Sequence, residues 1–217
     1  EGAVSLKSPQ HSDMSASHVM ATIPNASFES HAAFSGTYST TIVPDEWTVS
    51  PSGKNGKAGP CQSPSTSNPW FSTNTIPDGA TALFIQCNAV VSTTITISQT
   101  GRYRFSLYAL ARSGYSLHSL RISIGDKQLA VLKTYDPVFR RYEWETPSLE
   151  AGSYLLQLEG MNASTLRSTV IDNLRMELIE PQVSDIVVVS NGSFEWSDLF
   201  GSDANPNWFA FPPSNAG

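Results

Sequence analysis

Short runs in which apolar and polar residues alternate dominate the chain from Ala21 to Ile179. Alternation with a period of two is typical of strands that bury one face. Gly, Pro and Asp between the runs predict turns, and no stretch has the apolar spacing and caps of a helix. We predict strands within residues 82–90, 92–99, 102–112, 119–125, 127–135, 141–146, 153–160 and 168–179.

The alternation also assigns the two faces of each strand. In the run 102–112, one parity is apolar and consists of Tyr103, Phe105, Leu107, Ala109 and Ala111. The opposite parity is mostly polar and carries Arg104, Ser106, Tyr108 and Arg112. Runs 119–125 and 153–160 divide in the same way, so each strand has one buried and one wet face. This pattern predicts an all-β protein, an antiparallel β-sandwich of the jelly-roll kind.

Residues 44–80 interrupt the strands with a segment rich in Pro, Gly, Ser and Asn. A loop of this length inside a domain is either functional or disordered. Because Trp47, Trp70 and Phe71 are embedded in it, we favour a functional loop. Trp47, like Trp144, is interpreted as a residue of the core or an anchor for a loop.

One motif occurs twice: "PNASFES" at 24–30 returns as "SNGSFEWS" at 190–197. A Trp and a loop of Pro, Ser and Gly follow it both times, which indicates an internal repeat. We therefore divide the chain into a mobile leader (1–20), a β-sandwich domain (21–180), a linker (181–187) and the truncated start of a second similar domain (188–217).

The composition excludes several kinds of partner. The formal net charge is −6 and there is no basic block, which argues against a nucleic-acid site. No apolar run is long enough for a membrane span. Only 15% of the residues are charged, a balance common in extracellular β proteins, so we predict a secreted or cell-surface protein. Cys61 and Cys87 are compatible with a disulfide or with buried thiols, and the sequence leaves both open.

Enzyme signatures are missing from the sequence. It contains no nucleophile elbow, no zinc-protease motif and no phosphate-binding loop. His118 lies near a strand start without a Ser or Cys beside it, and we interpret it as a surface histidine. Asp45 and Glu46 are adjacent, so in a strand they would face opposite sides, which does not suit a pair of catalytic carboxylates. We predict that the chain is not an enzyme.

Five segments together resemble the galactose-binding-like jelly rolls, in particular the carbohydrate-binding modules of bacterial glycoside hydrolases. They are "NASFES", "PDEWTVS", "IPDGATALFIQ", "ISQTGRYRFSLYALAR" and "STVIDNLRMELI". The resemblance implies a non-catalytic glycan-binding module, repeated in tandem within a larger secreted or surface protein. Its partners would be an oligosaccharide, a polysaccharide or a glycoprotein, besides the adjacent domains of its own polypeptide.

A calcium site is the first candidate for chemistry. Asp172 has the parity of Leu174, Met176 and Leu178, so we expect it to point toward the core, where a carboxylate needs compensation. In modules of the family that the chain resembles, the Glu of the opening motif and the Asp of the last strand often share a structural Ca²⁺. The resemblance therefore implies Glu29 and Asp172 as metal ligands. The alternative is that Asp172 caps a turn and Glu29 is a surface residue.

A sugar-binding surface is the second candidate. Pyranose rings stack on aromatic planes, and charged or amide groups bind the sugar hydroxyls. The candidate residues are Trp70, Phe71, Tyr108, Arg112, Tyr115 and Tyr135. Each has a structural alternative, such as packing beneath the long loop. A structural or adhesive module that lacks a glycan pocket therefore stays open as the second function.

Overall fold

A computed structural model describes residues 19–50, 56–62, 75–115, 117–162 and 166–181. All of them belong to the first of two units of the chain, Glu1–Gln182, and the second unit is Val183–Gly217. Ten strands run in the order β1 (Thr48–Ser50), β2 (Lys57–Gln62), β3 (Thr81–Gln86), β4 (Val90–Ile97), β5 (Gly101–Ala111), β6 (His118–Ile124), β7 (Lys127–Thr134), β8 (Arg140–Glu145), β9 (Gly152–Gly160) and β10 (Ser168–Pro181).

The strands form two five-stranded sheets, which we call the first and the second sheet. The first has the order β2-β3-β10-β5-β8 and the second has the order β1-β4-β9-β6-β7. Every neighbouring pair within them is antiparallel. The predicted all-β jelly-roll sandwich is thus confirmed. Among the described residues, no helix is long and apolar enough to span a membrane.

The core lies between the two sheets and consists of the apolar parities predicted from the sequence. All five inward residues of β5 are buried, from Tyr103 to Ala111, as are Leu120 and Ile122 of β6 and Leu156 of β9. Such burial contributes roughly 25 cal/mol for each Å² of apolar surface removed from water. The alternating pattern of the sequence is therefore the pattern that holds the two sheets together.

The opening motif folds around Asn25 and Phe28. The Asn25 carboxamide donates to the carbonyls of Ser30 (2.8 Å) and Asp45 (3.1 Å), and its Oδ1 accepts from the Ser30 amide. Phe28 is completely buried, and its ring lies 5.3 Å from that of Trp47. Trp47 Nε1 donates to the Pro24 carbonyl. Phe28 is thus a core residue, and Trp47 anchors the opening segment as predicted.

The long loop is shorter in the structure than the sequence indicates. Strands β1 and β2 both lie inside the segment 44–80. Strand β2 is not evident from the sequence because it contains Gly59 and Pro60, which are poor strand residues. Pro60 is tolerated because β2 is an edge strand of the first sheet. Trp70 and Phe71 lie outside the described residues.

The interpretation of His118 as a surface residue is wrong. Its side chain is fully buried, with Nε2 3.0 Å from the Cys87 carbonyl and Nδ1 2.8 Å from Thr169 Oγ1. Since a carbonyl only accepts, Nε2 carries the proton and Nδ1 accepts from the threonine. Burial lowers the pKa of His118 and outweighs the raising effect of the Cys87 carbonyl.

Cys61 and Cys87 are buried thiols and form no disulfide with each other. Cys61 lies on the edge strand β2, whereas Cys87 begins the turn after β3, with a φ of 55°. Burial, reinforced by the negative charge of Asp172, raises the pKa of the Cys61 thiol. A buried thiol with a raised pKa is chemically inert.

Candidate functional site

A β-bulge in β10 decides where Asp172 lies. Asp172 pairs with Tyr108 of β5, whereas Arg175 pairs with Ser106, so three steps along β10 match two along β5. Asn173 absorbs the extra residue with a φ of 50°, which Asn tolerates better than most residues. The bulge inverts the parity of β10 at this point, which a periodic reading of the sequence does not register.

Asp172 consequently lies on the outer face of the first sheet, and the prediction that it points toward the main core is wrong. Its side chain is nevertheless fully buried. It lies beside a second, smaller apolar cluster formed by Cys61, Ile76, Ala82, Phe84, Leu110 and Val170. Leu174 and Met176, which follow the bulge, return to the main core.

The Asp172 carboxyl group is only partly compensated. Its Oδ2 accepts a hydrogen bond from the Asp78 main-chain amide at 2.8 Å, whereas Oδ1 is buried without a hydrogen-bond partner. Burial raises the pKa of Asp172 to about 7, and the negative charges of Asp78 and Glu29 act in the same direction. The main-chain amides of Asp78 and Asn173 oppose this rise. The site therefore disfavours an unbalanced negative charge.

Glu29 holds the next residues of the same loop. Its Oε1 accepts from the main-chain amides of Ala80 (2.9 Å) and Thr81 (2.7 Å). Gly79 lies so close that a Cβ there would come within 2.5 Å of Glu29 Cδ. The structure thus brings Glu29 and Asp172 to one loop, residues 78–81. Both carboxylates accept hydrogen bonds from that loop, and Glu29 is exposed. An Asp172 that caps a turn and a Glu29 at the surface, the alternative to a metal site, are compatible with these contacts.

The electrostatic surroundings of this pair bear on a metal. Within the described ranges, no group of three or more His, Cys, Asp or Glu side chains is placed to hold an ion. Calcium is bound by six to eight oxygens, many of them carbonyl or water oxygens. Of the two carboxylates, that of Asp172 has a buried oxygen, Oδ1, without a hydrogen-bond partner, and this oxygen would suit a cation.

The candidate sugar-binding residues separate into two groups. Arg112 and Tyr115 lie together after β5, with the guanidinium carbon 4.4 Å from the centre of the ring. Tyr135 is well exposed, and the next residue, Asp136, accepts a hydrogen bond from Ala111 at the end of β5. These three residues therefore belong to the same end of the sandwich.

Tyr108 lies apart from that group, in the middle of β5. It is half-buried on the outer face of the first sheet, between Asp172 of β10 and Arg141 of β8. Four residues of extended strand separate it from Arg112, which is about 13 Å. The described residues therefore do not form one groove that contains all the predicted aromatic side chains.

A cavity on the outer face of the first sheet was missed by the sequence reasoning. Its volume is about 280 Å³ and it is lined by Met20, Arg104, Ser106, Arg141, Arg175 and Glu177. We call it the Ser106 cavity. The outward parity of Arg104 and Ser106 was a signal in the sequence. The contributions of Arg141 and Arg175 depend on strand register, which the sequence does not show.

The comparisons with known proteins show the fold. No protein-family model matches the chain, and no curated protein matches its sequence. The structure resembles the Stig cyclase Fisc from Fischerella sp. TAU, solved with an indole compound, with a TM-score of 0.58 and 14% identity over 76% of this chain and 100% of that one. The sandwich is therefore shared with enzymes, and the fold alone does not separate binding from catalysis.

Carbohydrate-binding modules are also among the similar solved structures. The CBM22-1 xylan-binding domain of Paenibacillus barcinonensis Xyn10C aligns with a TM-score of 0.47 and 13% identity, over 71% of this chain and 92% of that one. TmCBM61, solved with β-1,4-galactotriose, aligns with a TM-score of 0.45 and 13% identity, over 72% of this chain and 97% of that one.

Proposed function

We propose that the chain is a non-catalytic glycan-binding module of a secreted or surface multidomain protein. The observation that carries the proposal is the outer face of the first sheet, where Tyr108 lies two residues from Ser106 and pairs with Arg141 of the cavity lining. The sequence motifs that resemble carbohydrate-binding modules point to the same function. The partner is an oligosaccharide, a polysaccharide or a glycoprotein.

The chemistry of this face suits a sugar. The phenol ring of Tyr108 offers a plane on which the C–H face of a pyranose can stack, and its hydroxyl group can still form hydrogen bonds. Arg104, Arg175 and Glu177 supply several donors and two acceptor oxygens beside it, which matches the many hydroxyl groups of a sugar. Ser106, nearly buried at the centre, adds a hydroxyl group to the floor.

A structural Ca²⁺ belongs to the proposal. Asp172 and Glu29 would hold it, and main-chain carbonyl or water oxygens would complete the ligand set. When bound, the ion supplies positive charge beside a buried carboxylate whose Oδ1 has no partner. The loop 78–81 would then be fixed by both carboxylates and by the ion. Without a metal, protonation of Asp172 is the remaining way to neutralise the site.

A structural or adhesive module is the second candidate. The observation that favours it is that Arg112 and Tyr115 contact each other, and that Glu29 and Asp172 hydrogen-bond to a loop. In that case the aromatic side chains pack against their neighbours, and the two carboxylates stabilise the loop that they hydrogen-bond. No glycan would then be bound.

Calorimetric titration of the whole chain with neutral and acidic oligosaccharides distinguishes the two functions. A glycan-binding module binds at least one of them with a dissociation constant between micromolar and millimolar. A folded sample that binds none of a broad glycan set contradicts the proposal and favours the structural module.

A further inference from the structure

Three arginines share the Ser106 cavity although the chain carries a net charge of −6. Their positions follow from the register of three strands. Ser106 of β5 pairs with Arg175 of β10 and Glu143 of β8. Directly paired residues of a sheet have Cβ atoms about 5 Å apart, and their diagonal neighbours remain within reach of long side chains. The short side chain of Ser106 is thus surrounded by longer ones, which leaves a depression in the surface at this position.

The next rows of the sheet complete the walls. Arg104 lies two residues before Ser106 and pairs with Glu177, so both project from the same face. Met20 pairs in turn with Glu177 from the opening segment and adds an apolar edge. Arg141 pairs with Tyr108 on the opposite side. The cavity is therefore built on strands, which hold their side chains more rigidly than loops do.

Among the described residues of the lining, guanidinium groups outnumber carboxylates three to one, and the carboxylate is that of Glu177. Glu143 and Glu145 of β8 pair with Ser106 and Arg104, so they project from the same face outside this lining. Among the residues that the structure describes, neither Arg104 nor Arg175 forms an ion pair, and Arg175 donates its Nε to Asn173 Oδ1 at 2.9 Å. Arg141 lies 3.3 Å from Glu143, a half-exposed pair. The cavity thus presents unused guanidinium donors to a ligand.

Guanidinium groups recognise planar or tetrahedral oxyanions through two parallel hydrogen bonds. The volume of about 280 Å³ is near the lower end of the range for small-molecule sites, so it suits one sugar unit and not a broad surface. A neutral sugar would leave Arg104 and Arg175 without an ion pair among the described residues. We propose that the Ser106 cavity binds the anionic group of an acidic glycan, either the carboxylate of a uronic acid or a sulfate ester.

The inference rests on the proposed glycan-binding function and adds the class of glycan. In this arrangement Arg104 and Arg175 grip the anionic group, the Ser106 hydroxyl group binds it from below, and Tyr108 in the adjacent row carries the ring of the same or the next sugar. Because the positive charge is local, binding weakens as salt is raised from about 0.05 to 0.5 M, over which the Debye length falls from roughly 14 to 4 Å.

The test titrates the whole chain with three oligosaccharides of equal length: an oligogalacturonate, a sulfated galactan oligomer and a neutral galactan oligomer. We expect at least one acidic oligomer to bind ten times more tightly than the neutral one. If the oligogalacturonate binds, the anionic group is a carboxylate; if the sulfated galactan oligomer binds, it is a sulfate ester. Arg104→Gln and Arg175→Gln should each lower the acidic affinity at least tenfold and lower neutral binding by clearly less.

Two variants serve as controls. Arg121→Gln changes a strand arginine of the second sheet, which pairs with Glu159, and should leave all affinities unchanged. Ser106→Leu fills the cavity without removing a charge and should abolish acidic binding. Thermal unfolding of each variant shows that the fold is retained.

Several results would overturn the inference. Equal affinity for neutral and acidic oligomers, unaffected by the arginine variants, rejects the acidic class and leaves the glycan-binding function intact. Acidic binding that survives Arg104→Gln, Arg175→Gln and Ser106→Leu places the site elsewhere. Equally tight binding of a single-stranded DNA oligomer shows a general polyanion site. Absence of binding to both acidic oligomers rejects the acidic class, whereas only absence of binding across the broad glycan set rejects the proposed function as well.

Discussion

Asp172 and Glu29 accept hydrogen bonds from one short loop. Asp172 binds the amide of Asp78, and Glu29 binds the amides of Ala80 and Thr81. The two carboxylates are far apart in the sequence, one in the opening motif and one in the last strand. The loop between β2 and β3 therefore connects the first and last parts of the domain, and its stability depends on the charge and contacts of both carboxylates.

Calcium is expected to stabilise the protein through this pair. At a Ca²⁺ concentration about 100 times the dissociation constant, the free energy of unfolding rises by about 2.7 kcal/mol. For a domain of this size that corresponds to an increase of roughly 5–10 °C in Tm. Differential scanning calorimetry of chelator-treated protein, with and without added Ca²⁺, measures the effect.

The Asp172→Asn variant should lose the calcium response, whereas Asp126→Asn, in the exposed turn between β6 and β7, should keep it. If Tm is the same with and without Ca²⁺, or if Asp172→Asn still responds, the metal assignment is wrong. The carboxylates then act only as acceptors for the loop, with Asp172 protonated over much of the neutral range.

Gly79 and Gly114 form a matched pair for testing the loop. Both have positive φ, +72° and +77°, so an alanine costs about 1–2 kcal/mol of backbone strain at either position. Only at Gly79 would the new Cβ collide, 2.5 Å from Glu29 Cδ, whereas nothing lies within 4 Å at Gly114. Gly79→Ala should therefore cost about 1.5–3 kcal/mol more, the value of a hydrogen bond to a charged group.

Chemical denaturation of the two variants measures this difference. Equal losses of stability would mean that Glu29 moves aside without cost and that its hydrogen bonds to the loop contribute little. If the calcium proposal is right, Gly79→Ala also weakens the increase in Tm that Ca²⁺ causes, and Gly114→Ala leaves it unchanged.

Tyr108 is expected to be the sugar platform, and not Tyr115. Removal of a stacked ring costs roughly 0.5–1.5 kcal/mol, so Tyr108→Ala should weaken glycan binding up to about tenfold. Val131→Ala, on the exposed outer face of the second sheet, should have no effect. Titration of each variant with the best oligosaccharide measures this. A loss with Tyr115→Ala and none with Tyr108→Ala would place the site at the end of the sandwich, with Arg112 and Tyr135.

The parts of the structure that the sequence predicts are local ones. The inner face of β5 follows from alternation alone, because each residue of a regular strand inverts the direction of the previous one. Asp172 does not, because the bulge at Asn173 breaks that rule within a single strand. The pair Asp172-Asn173 is a weak sign of such a bulge, since Asn tolerates positive φ, but many Asn residues are not in bulges.

His118, which the sequence assigned wrongly, and Arg175, for which it made no assignment, both depend on distant partners. His118 is buried because Cys87 and Thr169 supply an acceptor and a donor for its two nitrogens, and neither is near it in the chain. Arg175 faces the Ser106 cavity only because the bulge shifts it opposite Ser106. Periodicity describes one strand at a time, whereas sites of this kind depend on which strands are neighbours and in what register.

His118 gives the protein a defined dependence on pH. Its pKa is lowered in the folded protein, so the unfolded chain binds a proton at higher pH than the folded one does. The contribution of neutral His118 to the free energy of unfolding is therefore fully present above about pH 6.5, the pKa of a histidine in the unfolded chain. This contribution decreases as the pH falls below that value. The slope approaches about 1.4 kcal/mol per pH unit while the folded state remains neutral at this residue.

Asp172 titrates in the same range with the opposite sign, because its raised pKa of about 7 favours the folded state as the pH falls. The contribution of His118 is isolated by subtracting the curve of the His118→Gln variant, which retains Asp172. Unfolding free energies between pH 7.5 and 5, measured with denaturant in the presence of a chelator, should show a difference that shrinks toward low pH. A difference that is constant across this range would mean that His118 becomes protonated inside the folded protein as readily as in the unfolded chain.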